Sequence, residues 1–286
     1  MIHQLQSQIA VAYLCRYFSV SRSHFYKWQQ GFESNRDLQK KEICKAISVS
    51  FLRSKKTYGS PRVYDDLREC GVKVSENTVA KYMQEMGLDA RLKKKFRVLT
   101  TDSNHDHPIA PRLFEVETHS PPNRPGQVLA GDITYLRVGA RFIYLAIVMD
   151  VYNREILGWS ISWTLETRVV LDALDMAMKK VGPDAEIIFH SDRGSQYASE
   201  AYRNLLKNNS IKPSMSRRGN CYDNAYVESW FSSLKKEWIY RNQYQTAAEL
   251  RTLVFEYIEV WYNKKRKHSS LGNLSPEMYK SINQSA

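Results

Sequence analysis

Cysteine is scarce: four residues in 286 (Cys15, Cys44, Cys70 and Cys221), none in a Cys-x-x-Cys pair. That excludes a disulfide-stapled scaffold and a cysteine-rich zinc module. Long apolar runs are missing too. No stretch approaches the roughly 18 apolar residues of a membrane span, and the opening Met1-Ile2-His3-Gln4-Leu5-Gln6 lacks the charged-then-apolar layout of a signal peptide. No heptad pattern is sustained, so no leucine zipper is expected. Acids are thin at the start of the chain: residues 1–100 carry 19 Lys/Arg against 9 Asp/Glu, whereas the remainder is nearly balanced at 23 against 21. The expectation is a soluble cytoplasmic protein with no membrane partner. Its basic N-terminal third should meet a polyanion, because Lys and Arg that neutralise phosphates release condensed counterions.

What is present supports a folded, two-domain chain. Apolar residues make up 43% and aromatics 12%, enough for a core. Five of the nine prolines (Pro108, Pro111, Pro121, Pro122, Pro125) fall between Thr100 and Gln127, which therefore reads as an extended linker. His105, Asp106, His107 and His119 lie in it and read as loop residues rather than metal ligands, since no second ligand pair has a suitable spacing. The organisation expected is a helix-turn-helix-like segment at 1–38, a second such domain at 39–98, the linker at 99–127, a catalytic core at 128–240, and a C-terminal helical segment with a basic tail at 241–286.

Two N-terminal stretches share a layout of helix, turn and capped second helix. In the first, Ile9, Leu14, Tyr17 and Phe18 form the apolar stripe, and Ser21 caps a helix running to Gly31. In the second, Ser60-Pro61 opens a helix with Val63, Tyr64 and Leu67 inward, and Ser75 caps a helix carrying Val79, Tyr82, Met83 and Met86. A DNA-reading hairpin of this kind places the start of its second helix in the major groove. Arg22, Ser23 and Lys27, and Asn77, Thr78 and Lys81, are the candidate DNA contacts, reinforced by the basic run Lys93-Lys94-Lys95.

After the linker the hydrophobic period changes from helical to strand-like. Val128–Leu136, Phe142–Asp150 and Ile156–Trp163 read as three antiparallel strands, with Tyr152-Asn153-Arg154 as a tight turn. A helix ending near Val181, a short strand Glu186–His190, a helix Ser199–Asn208, a strand near Ile211–Met215 and a helix from about Tyr222 to Trp238 follow. This order predicts an α/β, ribonuclease-H-like catalytic domain. Ala247–Tyr262 reads as a last long helix.

Three acids stand out by context. Asp132 interrupts an apolar strand, Asp192 directly follows another, and Glu228 lies on a helix 36 residues later. An ionised carboxylate in such a strand is costly unless compensated, and a divalent cation shared among several carboxylates compensates it. All-oxygen donors suit Mg²⁺ or Mn²⁺. Asp150 and Asp223 are rival acids, read as a turn cap and a helix N-cap.

The motifs Gly131-Asp132-Ile133-Thr134-Tyr135, His190-Ser191-Asp192-Arg193-Gly194-Ser195-Gln196-Tyr197 and Asn220-Cys221-Tyr222-Asp223-Asn224-Ala225, leading to Glu228, resemble those of the DDE transposases of bacterial insertion sequences. The chain is similar to the second-frame protein of the IS-three family, related to retroviral integrases. The 35-residue gap before Glu228 and a basic residue seven positions after it, Lys235, belong to that resemblance, as do Arg266 and Ser275-Pro276 near the C-terminus. The family's usual Trp three residues before the first Asp is Leu129 here. The resemblance implies two Mg²⁺ (or Mn²⁺) ions held by Asp132, Asp192 and Glu228, with 3′-end nicking followed by strand transfer. It also implies DNA contacts by Lys235, Arg193, Asn224 and Arg266.

The partners implied are double-stranded DNA, both element ends and target, a second copy of the chain on that DNA, and an upstream-frame protein or fusion. The location implied is the bacterial nucleoid. A catalytically inactive DNA-binding regulator and a metal-dependent nuclease without strand transfer are the competing functions.

Overall fold

The computed structural model describes residues 2–31, 33–90, 108–114, 121–181, 186–216 and 224–284. Lys93, Lys94, Lys95, His105, Asp106, His107, His119, Cys221 and Asp223 lie outside the described residues. The chain divides into two units, Met1–Arg91 and Leu92–Ala286.

The first unit is helical: α1 (Ile2–Leu5), α2 (Val11–Tyr17), α3 (Arg22–Gln29), α4 (Asn35–Arg53), α5 (Ser60–Glu69) and α6 (Glu76–Glu85). Both expected caps form: Ser21 Oγ accepts from the His24 N–H at 3.0 Å and Ser75 Oγ from the Thr78 N–H at 3.2 Å. The inward stripe of the first hairpin differs from expectation. Ile9 precedes α2 and is exposed, and Tyr17 is 72% exposed at its end, so Leu14, Cys15 and Phe25 form the small core. The long helix α4 is an addition. Its capping box is reciprocal, with Ser34 Oγ taking the Asp37 N–H and the Asp37 carboxylate taking the Ser34 N–H. Ile43, Ile47 and Phe51 of α4 are buried, as are Val63 and Leu67 of α5 and Val79 and Met83 of α6, making a three-helix core.

The second unit is built on a five-stranded sheet: β1 (Val128–Val138), β2 (Arg141–Asp150), β3 (Ile156–Ser162), β4 (Ile187–Ser191) and β5 (Ile211–Met215). The spatial order is β3-β2-β1-β4-β5. The first three strands pair antiparallel, and β4 and β5 add parallel to β1. Helices α7 (Thr167–Val181), α8 (Ser195–Ala198), α9 (Glu200–Asn208), α10 (Ala225–Glu237), α11 (Ala247–Phe255) and α12 (Pro276–Gln284) complete it. This is the expected α/β order. Asp150 caps its turn as read from sequence: its carboxylate accepts from Tyr152 N–H (2.9 Å) and also from Gly126 N–H (2.8 Å), and burial pushes its pKa up to about 6.

Two features depart from the sequence reading. The proline-rich stretch is not free throughout, because the Leu113 and Phe114 N–H groups both donate to Ser214 Oγ on β5, at 2.9 and 3.1 Å. The C-terminal helix belongs to the same body as the sheet. From Glu256 to Tyr262 it widens into a π-type turn, and Asn263 just beyond clasps β3, accepting from Ile156 N–H and donating to Ile156 C=O. Among the described residues no helix is long and apolar enough to cross a membrane.

Helix α7 lies against β3 at Gly158, where a Cβ would stand 2.0 Å from the Ala173 carbonyl oxygen and 2.7 Å from the Ala177 nitrogen. Both obstacles are backbone, so only glycine allows this approach. Gly158→Ala should therefore cost at least the 1–3 kcal/mol typical of overpacking. Gly139→Ala, at φ +59° in open space, should cost about 1 kcal/mol. Denaturant midpoints of the two variants check the difference.

Candidate active site

Parallel pairing of β1 with β4 sets Ala130 opposite His190. Two residues further along β1 comes Asp132, and Asp192 follows directly after β4 ends at Ser191. The pairing brings the two acids near each other, and the charge of Asp192 acts on Asp132. Helix α10 crosses β1 next to them, held by two bonds that bracket Glu228. Asn224 Nδ2 donates to the Gly131 carbonyl at 3.4 Å, and Lys235 Nζ donates to Thr134 Oγ1 at 2.7 Å. Glu228 lies in the first turn of α10 and faces water.

Close packing fixes the strand that carries Asp132. A Cβ on Gly131 would stand 2.5 Å from Phe189 Cζ, so the ring from β4 fills the space a side chain would need. Leu129, where the resemblance expects Trp, is fully buried opposite Phe189 in the core and leaves the strand in place.

The electrostatics follow from the crowding. Burial pushes the Asp132 carboxyl well above the usual carboxylate range; the charges of Asp192 and Glu228 add to that rise, and the Ile133 N–H and Lys235 oppose it. Burial lowers the pKa of Lys235, against the pull of Asp132, and its ammonium also lies 5.0 Å from the centre of the Tyr135 ring. The Asp192 carboxylate accepts from the Gly194 N–H at 2.9 Å, which fixes it at the start of its loop. An open cleft lies over this cluster, lined by Asp132, Asp192, Tyr135, Tyr144, Gln196 and Tyr197, among others.

The donor set fits a hard divalent cation. All three acids offer oxygen, and the proton affinity of Asp132, raised first by burial, is raised further by the charges of Asp192 and Glu228, a repulsion that a cation relieves. Among the described residues no three His, Cys, Asp or Glu side chains stand together ready to hold a metal ion, and Glu228 is exposed in the first turn of α10.

The other candidate residues divide by position. Arg22, Lys27, Asn77 and Lys81 are exposed on α3 and α6, and Thr78 is half-buried with its hydroxyl 2.9 Å from Ser75 Oγ. Arg193 Nε donates to the Ser216 carbonyl at 2.8 Å, tying the Asp192 loop to the end of β5. Asn224 is buried, bonded to β1 and turned away from solvent, so it is a strut between α10 and the sheet. Arg266 is corrected outright as a DNA contact. It is 5% exposed and grips Glu237 of α10 through Nε (2.7 Å) and Nη2 (2.6 Å), leaving no free face for a phosphate.

Two participants were missed in the sequence. Thr134, inside the first motif, anchors Lys235. Tyr197, at the end of the second motif, has a buried ring that packs edge-on to Tyr202 and lines the cleft beside both aspartates. Both stood in quoted motifs, and only the fold shows where they point.

Known proteins resemble this chain in sequence. The Integrase core domain family model matches residues 122–221, a second model with the same description matches 209–276, and an HTH-like domain model matches 38–96. The transposase InsF of insertion sequence IS3A from Escherichia coli is 38% identical over 284 residues, covering 99% of this chain and 98% of the relative. The 31 kDa protein of insertion element IS600 from Shigella sonnei is 39% identical over 267 residues, covering 93% and 97%. A chain of the simian T-cell lymphotropic virus intasome aligns with a TM-score of 0.48 at 13% identity, covering 81% of this chain and 73% of that one. With near full-length similarity to the IS3 transposases and the integrase core matched across its sheet, the chain belongs to the IS3 family of insertion-sequence transposases, DNA-recombining enzymes of the DDE polynucleotidyl transferase class.

Proposed function

We propose that Asp132, Asp192 and Glu228 hold two Mg²⁺ or Mn²⁺ ions and that this site performs both 3′-end nicking and strand transfer at insertion-sequence ends. The observation that supports it is the approach of three carboxylates, from within β1, just past β4 and the first turn of α10, with Asp132 driven toward protonation by burial and by the charges of the other two. When bound, the cations lower the pKa of the attacking hydroxyl and draw charge from the phosphoryl and leaving oxygens. The chain's own residues set the geometry. Asp132 is fixed within β1 and Asp192 by the loop that follows β4, while Glu228 is carried by a helix anchored at Asn224 and Lys235. Lys235, half-buried and bonded to Thr134, places a positive charge beside the cleft, where it offsets phosphate charge during transfer. Nicking and joining are the same displacement at phosphorus with water or a 3′-hydroxyl as nucleophile, so one set of residues serves both.

The N-terminal unit supplies the DNA grip in this reading, through Arg22 and Lys27 on α3 and Asn77, Thr78 and Lys81 on α6, with Lys93–Lys95 beyond. Joining one DNA end to another requires the ends to be brought together, so the working form is an assembly of copies on DNA, with an upstream-frame protein or fusion as a further partner. The presence of all three acids and Lys235 favours the enzyme over an inactive regulator.

Asp132→Asn and Glu228→Gln should each lower cleavage and joining of labelled element-end DNA roughly 100- to 1000-fold while leaving DNA binding intact. Joining at the wild-type rate by either variant would remove these acids from the mechanism. Because the raised affinity of Asp132 for a proton competes with metal, the Mg²⁺ concentration giving half-maximal activity should fall as pH rises; a pH-independent value contradicts the assignment. Lys27→Ala and Lys81→Ala should each reduce the slope of log affinity against log salt by about 1, as measured by anisotropy of labelled duplex.

A further inference from the structure

At the end of the sheet where β2 begins and β3 stops, large rings stand in water. Phe142 is 43% exposed, Trp163 42% and Leu165 37%. Phe142 meets Tyr135 edge-on with ring centroids 5.2 Å apart, and the Arg141 guanidinium lies 4.6 Å over the Trp163 ring. Tyr144 pairs with Ser162 across β2 and β3, which places Phe142 and Trp163 at the same end. The ledge is continuous with the catalytic cleft, since Tyr135, Tyr144 and Leu165 line the same opening as Asp132 and Asp192. Acid is sparse on it: residues 133–149 and 156–165 contain no Asp or Glu, Glu166 follows Leu165 directly, and Arg137 and Arg141 stand among these residues.

We infer that this ledge binds unpaired nucleotides of the DNA strand entering the cleft, stacking bases on Trp163 and Phe142 while Arg141 and Arg137 face the flanking phosphates. An intact duplex hides the faces of its bases, so exposed rings at a cleft mouth act only on frayed or single-stranded nucleotides. Aromatic rings and guanidinium planes both take a base on their faces, and such stacking tolerates any sequence. Two arginines against one flanking carboxylate leave the ledge net basic, which favours phosphate. The inference rests on the transposase reading and adds to it the form in which DNA reaches the carboxylates: with its end opened.

The test uses the full-length protein and two labelled DNAs of the same sequence, one a blunt duplex and one with several unpaired nucleotides at its end carrying 2-aminopurine. The wild-type protein should bind the open-ended DNA more tightly and quench the 2-aminopurine. Trp163→Ala and Phe142→Ala, each checked as folded by its melting transition, should weaken binding of the open-ended DNA roughly tenfold. They should lose the quenching and leave blunt-duplex affinity unchanged. Equal wild-type affinity for the two DNAs, or equal losses on both in the variants, overturns the ledge while leaving the transposase reading intact. Failure to bind either DNA overturns both. Altered light scattering in the variants with unchanged discrimination between the DNAs assigns the ledge to a second copy of the chain, and likewise overturns the inference.

Discussion

Mutual repulsion among Asp132, Asp192 and Glu228 is the constraint around which the catalytic unit is organised. Carboxylates seek water or partners, and a fold that crowds three of them must hold them against their own electrostatics. Here the restraint is structural: β1 and β4 cannot slip without exposing their apolar faces, and α10 is tied to β1 on both sides of Glu228. The proton affinity of Asp132 is raised first by burial and then by the neighbouring charges, so packing and repulsion act on it together.

The surrounding packing serves that arrangement. Phe189 occupies the space beside Gly131, and α7 rests on β3 at Gly158, so the strands carrying chemistry are backed by contacts that admit no added atom. The C-terminal helix is part of the same support. Arg266 reaches Glu237 on α10, Tyr257 donates to the same carboxylate, and Asn263 holds the start of β3. Removing one partner of such a buried pair strands the other charge, which costs far more than the pair contributes. The far end of the unit thereby fixes the helix that carries Glu228.

Much of this was legible in the sequence because it depends on local pattern. The strands announce themselves by apolar runs, the N-caps by Ser21 and Ser75, and Asp132 and Asp192 by carboxylates in or beside otherwise apolar strands. What was hidden depends on contacts between distant residues. Helix α4 has no clean stripe, with Leu38, Val49 and Leu52 exposed, although its Ser34-x-x-Asp37 capping box was a signal to be read. Arg266 sat in a basic run and read as a DNA contact; nothing in its spacing reveals a partner 29 residues earlier. Asn224 stood four residues before Glu228 and read as a substrate contact, but the strand it bonds lies 93 residues away.

The central claim is that the three carboxylates act as one cation-binding set. Direct binding of Mn²⁺ to the full-length protein with end DNA, followed by the spectrum of the free ion, tests it without reliance on turnover. The account predicts that the wild-type protein takes up Mn²⁺ at a site lost or weakened at least tenfold in Asp192→Asn, with the fold and DNA affinity of that variant unchanged. Equal uptake by the wild type and Asp192→Asn would contradict it.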